Sequence, residues 1–401
     1  MVKAVLLFLH RWLGIISGLV VFVVSITGAI FVFEEELFRV FHPDIVYVTP
    51  GKTLRDINDL KAIAQNTIGA DKNVNVVFIP GSSDRAYCFS AFERDAKSKS
   101  IWDKDEIAYY YQVFVDPYTG AVTGVVNKET EFFYATRRIH QNLMLRRDIG
   151  NMIVGTSTLI FLFILISGIV LWWPQRIAQW KQRFVVKWKA RWKRVNYDLH
   201  SVVGFYVFLI AMLIATTGLV WSFDWWENGI YAMLGSSKKD AAFLTQRDTT
   251  YTATNQGITR AWKDALKRYE KGFERITLNF PTKKNNRVGA FVHYDGSSAW
   301  TDSDYIYYNG ATGNVQQAIL QDDKSTGMKW RNTNYYIHTG KLYGWPTQIL
   351  AVIVSLVCAS LPVTGVILWV GRKNKKQVPA SPQPVSVKTK PRPRIASRQL
   401  T

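Results

Sequence analysis

Residues 9–28 read LHRWLGIISGLVVFVVSITG, and residues 199–218 read LHSVVGFYVFLIAMLIATTG. Each opens on Leu-His and closes on SITG or ATTG, so His10 stands as far before Gly28 as His200 does before Gly218. Arg11 apart, neither run carries a Lys, Arg, Asp or Glu, and an apolar run of this length is long enough to cross the hydrocarbon core of a bilayer. Its recurrence at matched spacing makes the chain two copies of one unit.

Counting these two, the chain has four windows without charge that reach about 20 residues, the length a spanning helix needs: 13–33, 151–173, 202–223 and 345–371. The second is preceded by RIHQN (from Arg138) and ends in SGIVLWW; the fourth is preceded by YIHTG (from Tyr336) and ends in TGVILWV. The separations His140 to Gly168 and His338 to Gly365 differ by a single position, so the repeat extends through these spans as well. The run at 13–33 is too long for a signal peptide, and the acidic Glu34-Glu35-Glu36 that follows reads as the outer end of an anchor.

The net charge of +20 on 401 residues suggests nucleic acid or an anionic membrane surface. Its distribution decides for the membrane. Residues 174–199 carry eight Lys/Arg against Asp198 alone, and the tail after Val370 carries nine and no acid. Positive charge packed into short segments beside apolar spans is the positive-inside pattern, with no nucleic-acid footprint. Both termini and the 174–199 loop therefore face the cytoplasm of a bacterial inner membrane. The two long intervening segments face the periplasm. Trp172, Trp173, Trp188, Trp192, Trp221, Trp225, Trp226 and Trp345 cluster near span ends, as interfacial anchors do.

Each outer segment begins with an amphipathic helical pattern, 54–68 or 258–269, followed by strand-like runs and a final hairpin, YYYQVFVDPYTGAVTGVV or DYIYYNGATGNVQQAI. The expected fold is an α-helical membrane protein: a four-helix transmembrane bundle with two small periplasmic α+β domains and an internal two-fold repeat. Its parts are spans at 1–34, 137–174, 200–226 and 335–371, outer domains at 35–136 and 227–334, a basic loop at 175–199 and a disordered basic tail at 372–401. Two cysteines, Cys88 and Cys358, supply neither a disulfide framework nor a metal site.

Four of the six histidines occupy repeat-equivalent positions. His10 and His200 fall at the cytoplasmic side, His140 and His338 at the outer side. Ionisable residues near the membrane default to a functional reading. Two imidazoles facing each other across a bundle can ligate one b haem, so the four imply two haems, one per leaflet. Gly14, Gly18, Gly28, Gly204 and Gly218 would let a flat macrocycle approach the helices. Arg137, Arg138 and Lys341 near the outer pair, with Arg146 and Arg147, are candidate contacts for haem propionates or an anionic substrate, or else a solvated basic surface; Arg11 could serve the propionates of the inner haem. A zinc site lacks its usual signatures: there is no HExxH, no His pair at i,i+4 and no Cys cluster. If the stretch from His140 to Trp173 were one helix, it would run roughly 50 Å and set the two haem layers far apart. His42 and His293 have no repeat partner and read as ordinary surface residues. Tyr109–Tyr111, Trp300, Tyr305, Tyr307, Tyr308, Tyr335 and Tyr336 could line a substrate cleft or pack a sheet.

The first span, RRIHQNL, DLHSVVG, IHTGKLYGW and the paired hairpins together resemble the PepSY-associated transmembrane family over nearly the whole chain up to about Arg372. Among characterised relatives the resemblance points to inner-membrane ferric-siderophore reductases. It implies two PepSY-type outer domains and two b haems ligated by His10, His140, His200 and His338. It also implies electron delivery to a periplasmic Fe(III) chelate. No flavin or nicotinamide fingerprint is present, so the donor would be a cytoplasmic protein or the quinol pool. The alternatives are a membrane-anchored PepSY peptide-binding or protease-regulating module without redox activity, and a transporter. The transporter is disfavoured because both repeats share one orientation and neither breaks a span.

Overall fold

The structure is a computed structural model that describes residues 2–95, 97–174, 176–294 and 302–373. The expected disordered tail, apart from its first two residues, and Trp300 lie outside them.

Among the described residues, four helices are long and apolar enough to cross a membrane: Val2–Phe31, Arg147–Trp172, Trp192–Trp221 and Trp345–Gly371. The first packs on the second and fourth, and the third packs on the same two, so the spans close into a ring of four. The first begins earlier than its apolar run, which places His10 inside a helix rather than before it. The third takes in Trp192–Asp198 from the end of the basic loop, then passes through a π-helical turn at Leu199–Val203 that holds His200. Such turns inside helices often mark functional positions.

The strands are β1 (Val74–Pro80), β2 (Tyr87–Arg94), β3 (Ile107–Val115), β4 (Val122–Asn127), β5 (Arg275–Asn279), β6 (Arg287–Tyr294), β7 (Asp302–Asn309) and β8 (Val315–Ile319). They form one antiparallel sheet in the order β4-β3-β2-β1-β5-β6-β7-β8. The two outer segments are therefore not separate bodies. β1 and β5 pair from Val76↔Asn279 to Pro80↔Arg275, which removes two open sheet edges. Alternation sorts the faces. Val77, Ile79, Phe89, Val113, Ile276, Leu278, Val288 and Ile306 pack under the helices Ile57–Ile68 and Asn255–Arg268 in one shared core. Those two helices are tied directly: Asp56, the N-cap of the first, also accepts from the Thr259 hydroxyl of the second. The intervening residues Phe78, Cys88, Tyr110, Gln112 and Phe114 turn toward the bundle, where they wall a cavity.

Two shoulder helices, Phe132–Asn142 and Thr326–Thr339, connect the sheet to the second and fourth spans. Their N-termini are capped by Glu131 and Ser325. The first ends at Leu143 and Met144, both left-handed; the second ends at Gly340, also left-handed. The break after Asn142 rules out one continuous helix from His140 to Trp173, and with it the wide separation of layers that such a helix would impose. The first shoulder helix folds against the first span instead of continuing the second. Gly150 permits this, because a Cβ there would lie 2.1 Å from the Asn142 carbonyl oxygen.

Candidate functional site

Each matched histidine sits against a Ser/Thr-Gly dipeptide on another helix. The His10 imidazole lies over Gly168, with Nδ1 2.9 Å from Ser167 Oγ. His200 lies over Gly365, with Nδ1 3.0 Å from Thr364 Oγ1. His140 donates from Nδ1 to the Val24 carbonyl at 2.8 Å, beside Thr27 and Gly28. His338 donates to the Ile214 carbonyl at 3.0 Å, with Thr217 Oγ1 at 3.1 Å and Gly218 beneath. A carbonyl can only accept, so Nδ1 of His140 and of His338 carries the proton. At the other pair, Ser167 and Thr364 donate their own hydroxyl protons to the carbonyls of Ile164 and Leu361, which leaves a lone pair toward each imidazole. All four rings are thus set with Nδ1–H in the seat and a free lone pair on Nε2, the tautomer that binds a metal through Nε2.

The histidines then meet in twos. The ring centroids of His10 and His200 are 6.3 Å apart, and those of His140 and His338 are 6.0 Å apart. Two metal–nitrogen bonds of about 2 Å and two ring radii of roughly 1 Å sum to about 6 Å, the span of one ion between two imidazoles. Among the described residues no group of three or more His, Cys, Asp or Glu side chains converges. This donor set of two facing neutral imidazoles fits an axial pair on haem iron. The rings brought together are His10 with His200 and His140 with His338. Along the first span, the Val24 seat of His140 lies about 21 Å of helix beyond His10.

The glycines have a different role from the one expected. Gly28 and Gly218 face imidazoles, Gly14, Gly18 and Gly204 face Ile164, Pro362 and Leu361, and the other two seats are Gly168 and Gly365. A Cβ on Gly28 would lie 2.9 Å from His140 Cε1, and on Gly218 3.1 Å from His338 Cε1, against 3.4 Å at Gly168 and Gly365. Gly28→Ala and Gly218→Ala are therefore expected to displace their histidines, whereas Gly168→Ala and Gly365→Ala are tolerated. Haem content per chain after expression with haem supplementation checks this; equal effects at all four would contradict it.

A cavity of about 730 Å³ opens between the sheet and the bundle and includes His140, His338, Gly28 and Gly218. Its lower walls are apolar (Val24, Phe161, Ile214, Val354), and its upper walls carry six basic against three acidic side chains. Arg137 lines it, lies over the Tyr134 ring at 4.8 Å, and has a buried Nε without a hydrogen-bond partner. That suits the expected anion contact. Arg138 is turned elsewhere, because successive helical residues point about 100° apart. It pairs with Asp103 at 3.2 Å, both buried. Lys341 pairs with Glu35 at 3.4 Å instead of facing the cavity. Burial pulls the Glu35 carboxyl upward, but Lys341 and Arg275 outweigh it and hold it below the usual carboxylate value. Arg11 is exposed and lies over Phe8 and Trp12. Arg147 lines the cavity, and Arg146 pairs with Asp148.

Of the aromatics, Tyr110 and Tyr335 reach the cavity, while Tyr109, Tyr111 and Tyr308 belong to the sheet core. Tyr305 and Tyr307 join a smaller cluster with Phe243, and Tyr336 packs on Tyr335. His42 packs on Phe38 at 4.7 Å. His293, on β6, has its pKa lowered to about 4 by burial and by Arg275 and Lys324.

Sequence reasoning missed Ser167, Thr364, Thr27 and Thr217, and read Trp221 only as an interfacial anchor, although its ring centroid is 5.2 Å from that of His338. A signal was present for the hydroxyls: each immediately precedes one of the glycines that mark the repeat. No curated protein matches the chain. A family model described as the PepSY-associated TM region matches residues 7–372. The chain belongs to the PepSY-associated transmembrane family.

Proposed function

We propose that this protein carries electrons across a bacterial inner membrane through two b haems and reduces Fe(III) in a siderophore or similar chelate on the sheet side. His10 and His200 would hold one haem, His140 and His338 the other. The observation that carries the reading is the paired arrangement: two imidazoles 6.0 Å and two 6.3 Å apart, each with Nδ1 committed to its seat. Bound b haem supplies reversible one-electron Fe(III)/Fe(II) chemistry, and the protein tunes its potential and access.

The chain's own residues account for the remaining requirements. Both histidine pairs are part-buried among the helices, and the outer pair also lines the cavity. The basic upper wall of the cavity, with Arg137, Arg85 and Arg275 each burying an unbonded Nε, suits carboxylate or other oxyanion groups of a haem edge or of a docked chelate. One electron per chelate converts Fe(III) to Fe(II), which hard oxygen ligands hold far more weakly, so the metal is released. The sheet and shoulder helices would face the periplasm, with the basic loop and both termini in the cytoplasm. There a soluble donor, or quinol in the bilayer, would supply electrons near His10 and His200.

The test is the visible spectrum of detergent-purified protein, oxidised and dithionite-reduced, with a pyridine haemochrome count. Low-spin b-type bands and about two haems per chain are expected. A colourless protein after haem supplementation would overturn the reading and favour an anchored peptide-binding module.

A further inference from the structure

The seats of the histidines have a consequence beyond ligation. Three hydroxyls, Ser167, Thr364 and Thr217, stand 2.9, 3.0 and 3.1 Å from the Nδ1 of His10, His200 and His338. Each spends its own proton on a helix carbonyl: Ser167 on Ile164, Thr364 on Ser360 and Leu361, Thr217 on Leu213 and Ile214. At His10 and His200 the chain of donation is therefore polarised in one direction, from imidazole N–H to hydroxyl to backbone carbonyl; at His338 the N–H is shared between Thr217 Oγ1 and the Ile214 carbonyl at 3.0 Å. Two of these seats are held from behind. Asn334, fully buried, donates to the Thr217 carbonyl at 3.1 Å, and buried Asn196 donates to the Thr364 carbonyl at 3.1 Å. Thr27 is the outlier. Its hydroxyl is 3.5 Å from His140 Nδ1, which bonds mainly to the Val24 carbonyl at 2.8 Å.

Resting on the two-haem reading above, we propose that Ser167, Thr364 and Thr217 are positioning residues that set the reduction potentials of the haems through the Nδ1–H of their ligands. An acceptor on Nδ1–H makes the imidazole a stronger electron donor to iron, which favours Fe(III) and lowers the potential. Removing the acceptor, or at His338 one of its two acceptors, raises it. The effect is local to one pair, because each hydroxyl touches one ligand. Thr27 contributes least, since its hydroxyl stands 3.5 Å from its histidine, whereas Thr217 at 3.1 Å shares the His338 Nδ1–H with the Ile214 carbonyl.

The experiment is a redox titration of the full-length protein followed by visible absorption, in two backgrounds that each retain a single haem. His10→Ala keeps the pair at His140 and His338; His338→Ala keeps the pair at His10 and His200. In the first, Thr217→Val is expected to raise the Fe(II)/Fe(III) equilibrium about tenfold at a given potential, an upward shift of about 59 mV for one electron. Thr217→Ser, which keeps the hydroxyl, is expected to titrate as the parent does, and Thr27→Val to shift less than Thr217→Val. In the second, Ser167→Ala and Thr364→Val are expected to raise the potential, and Thr217→Val to leave it in place. Retained haem with no shift would overturn the proposal while leaving the two-haem reading standing. So would a Thr217→Ser shift as large as that of Thr217→Val, or a Thr217→Val shift in both backgrounds. A wild-type protein that binds no haem would overturn both.

Discussion

On the proposed two-haem reading, replacing His338 with alanine is expected to leave one haem per chain in place of two, as counted by pyridine haemochrome. The remaining haem keeps its spectrum, because His10 and His200 are seated on Ser167 and Thr364 by contacts that do not involve His338. The informative comparison is between double variants. His140 and His338 face each other at 6.0 Å, so His140→Ala with His338→Ala removes the same haem twice and costs no more than either change alone. His10→Ala with His338→Ala breaks both pairs and leaves a colourless protein. If instead His10→Ala and His338→Ala together still left one haem, the ligands would be shared across the two layers, contrary to the geometry.

The second large effect lies away from the cavity. Asp103 is 2% exposed and Arg138 8%, and their ion pair is joined by Asn142 Nδ2, which donates to Asp103 Oδ1 at 3.1 Å. The same segment is stitched to the left-handed break between the first shoulder helix and the second span. Asp103 N–H donates to the Met144 carbonyl, and Arg146 N–H donates to the Ile101 carbonyl. Asp103→Ala would leave a buried guanidinium without its counter-charge, a loss of about 3–5 kcal/mol. Because Arg138 and Asn142 flank His140 in the shoulder helix, on the two-haem reading haem at His140 and His338 is also expected to be lost more readily than at the other pair. Thermal unfolding in detergent, with haem content measured on the same samples, reads both effects. Adding Arg138→Leu to Asp103→Ala is expected to recover much of the stability, since replacing both partners of a buried pair by apolar groups is often neutral. A single variant as stable as the parent would show that the pair contributes nothing to holding the shoulder.

Much of this was legible in the chain itself. Four uncharged runs and the crowding of lysine and arginine at 174–199 and after Val370 are enough to establish a membrane bundle, because bilayer thickness and the cost of burying charge act on local sequence. The equal spacing from His10 to Gly28 and from His200 to Gly218 marked the residues that matter, since the histidines and the glycines are the two halves of each seat. What the chain did not disclose was which half meets which. His10 meets Gly168 and His140 meets Gly28, partners that lie on different spans and far apart in sequence. Only the ring of four spans and the fold-back at Leu143–Met144 bring them together. The same holds for Arg137 and Arg138, neighbours in sequence that helical rotation sends to a cavity wall and to Asp103. Likewise, β1 and β5 join two sequence-distant segments into one sheet because each alone would leave an open edge. Local polarity and spacing thus set the membrane class, the spans and the identity of the four histidines. The pairing, the proton on each Nδ1 and the cavity above them came from the packed molecule, because these depend on contacts between helices far apart in the chain.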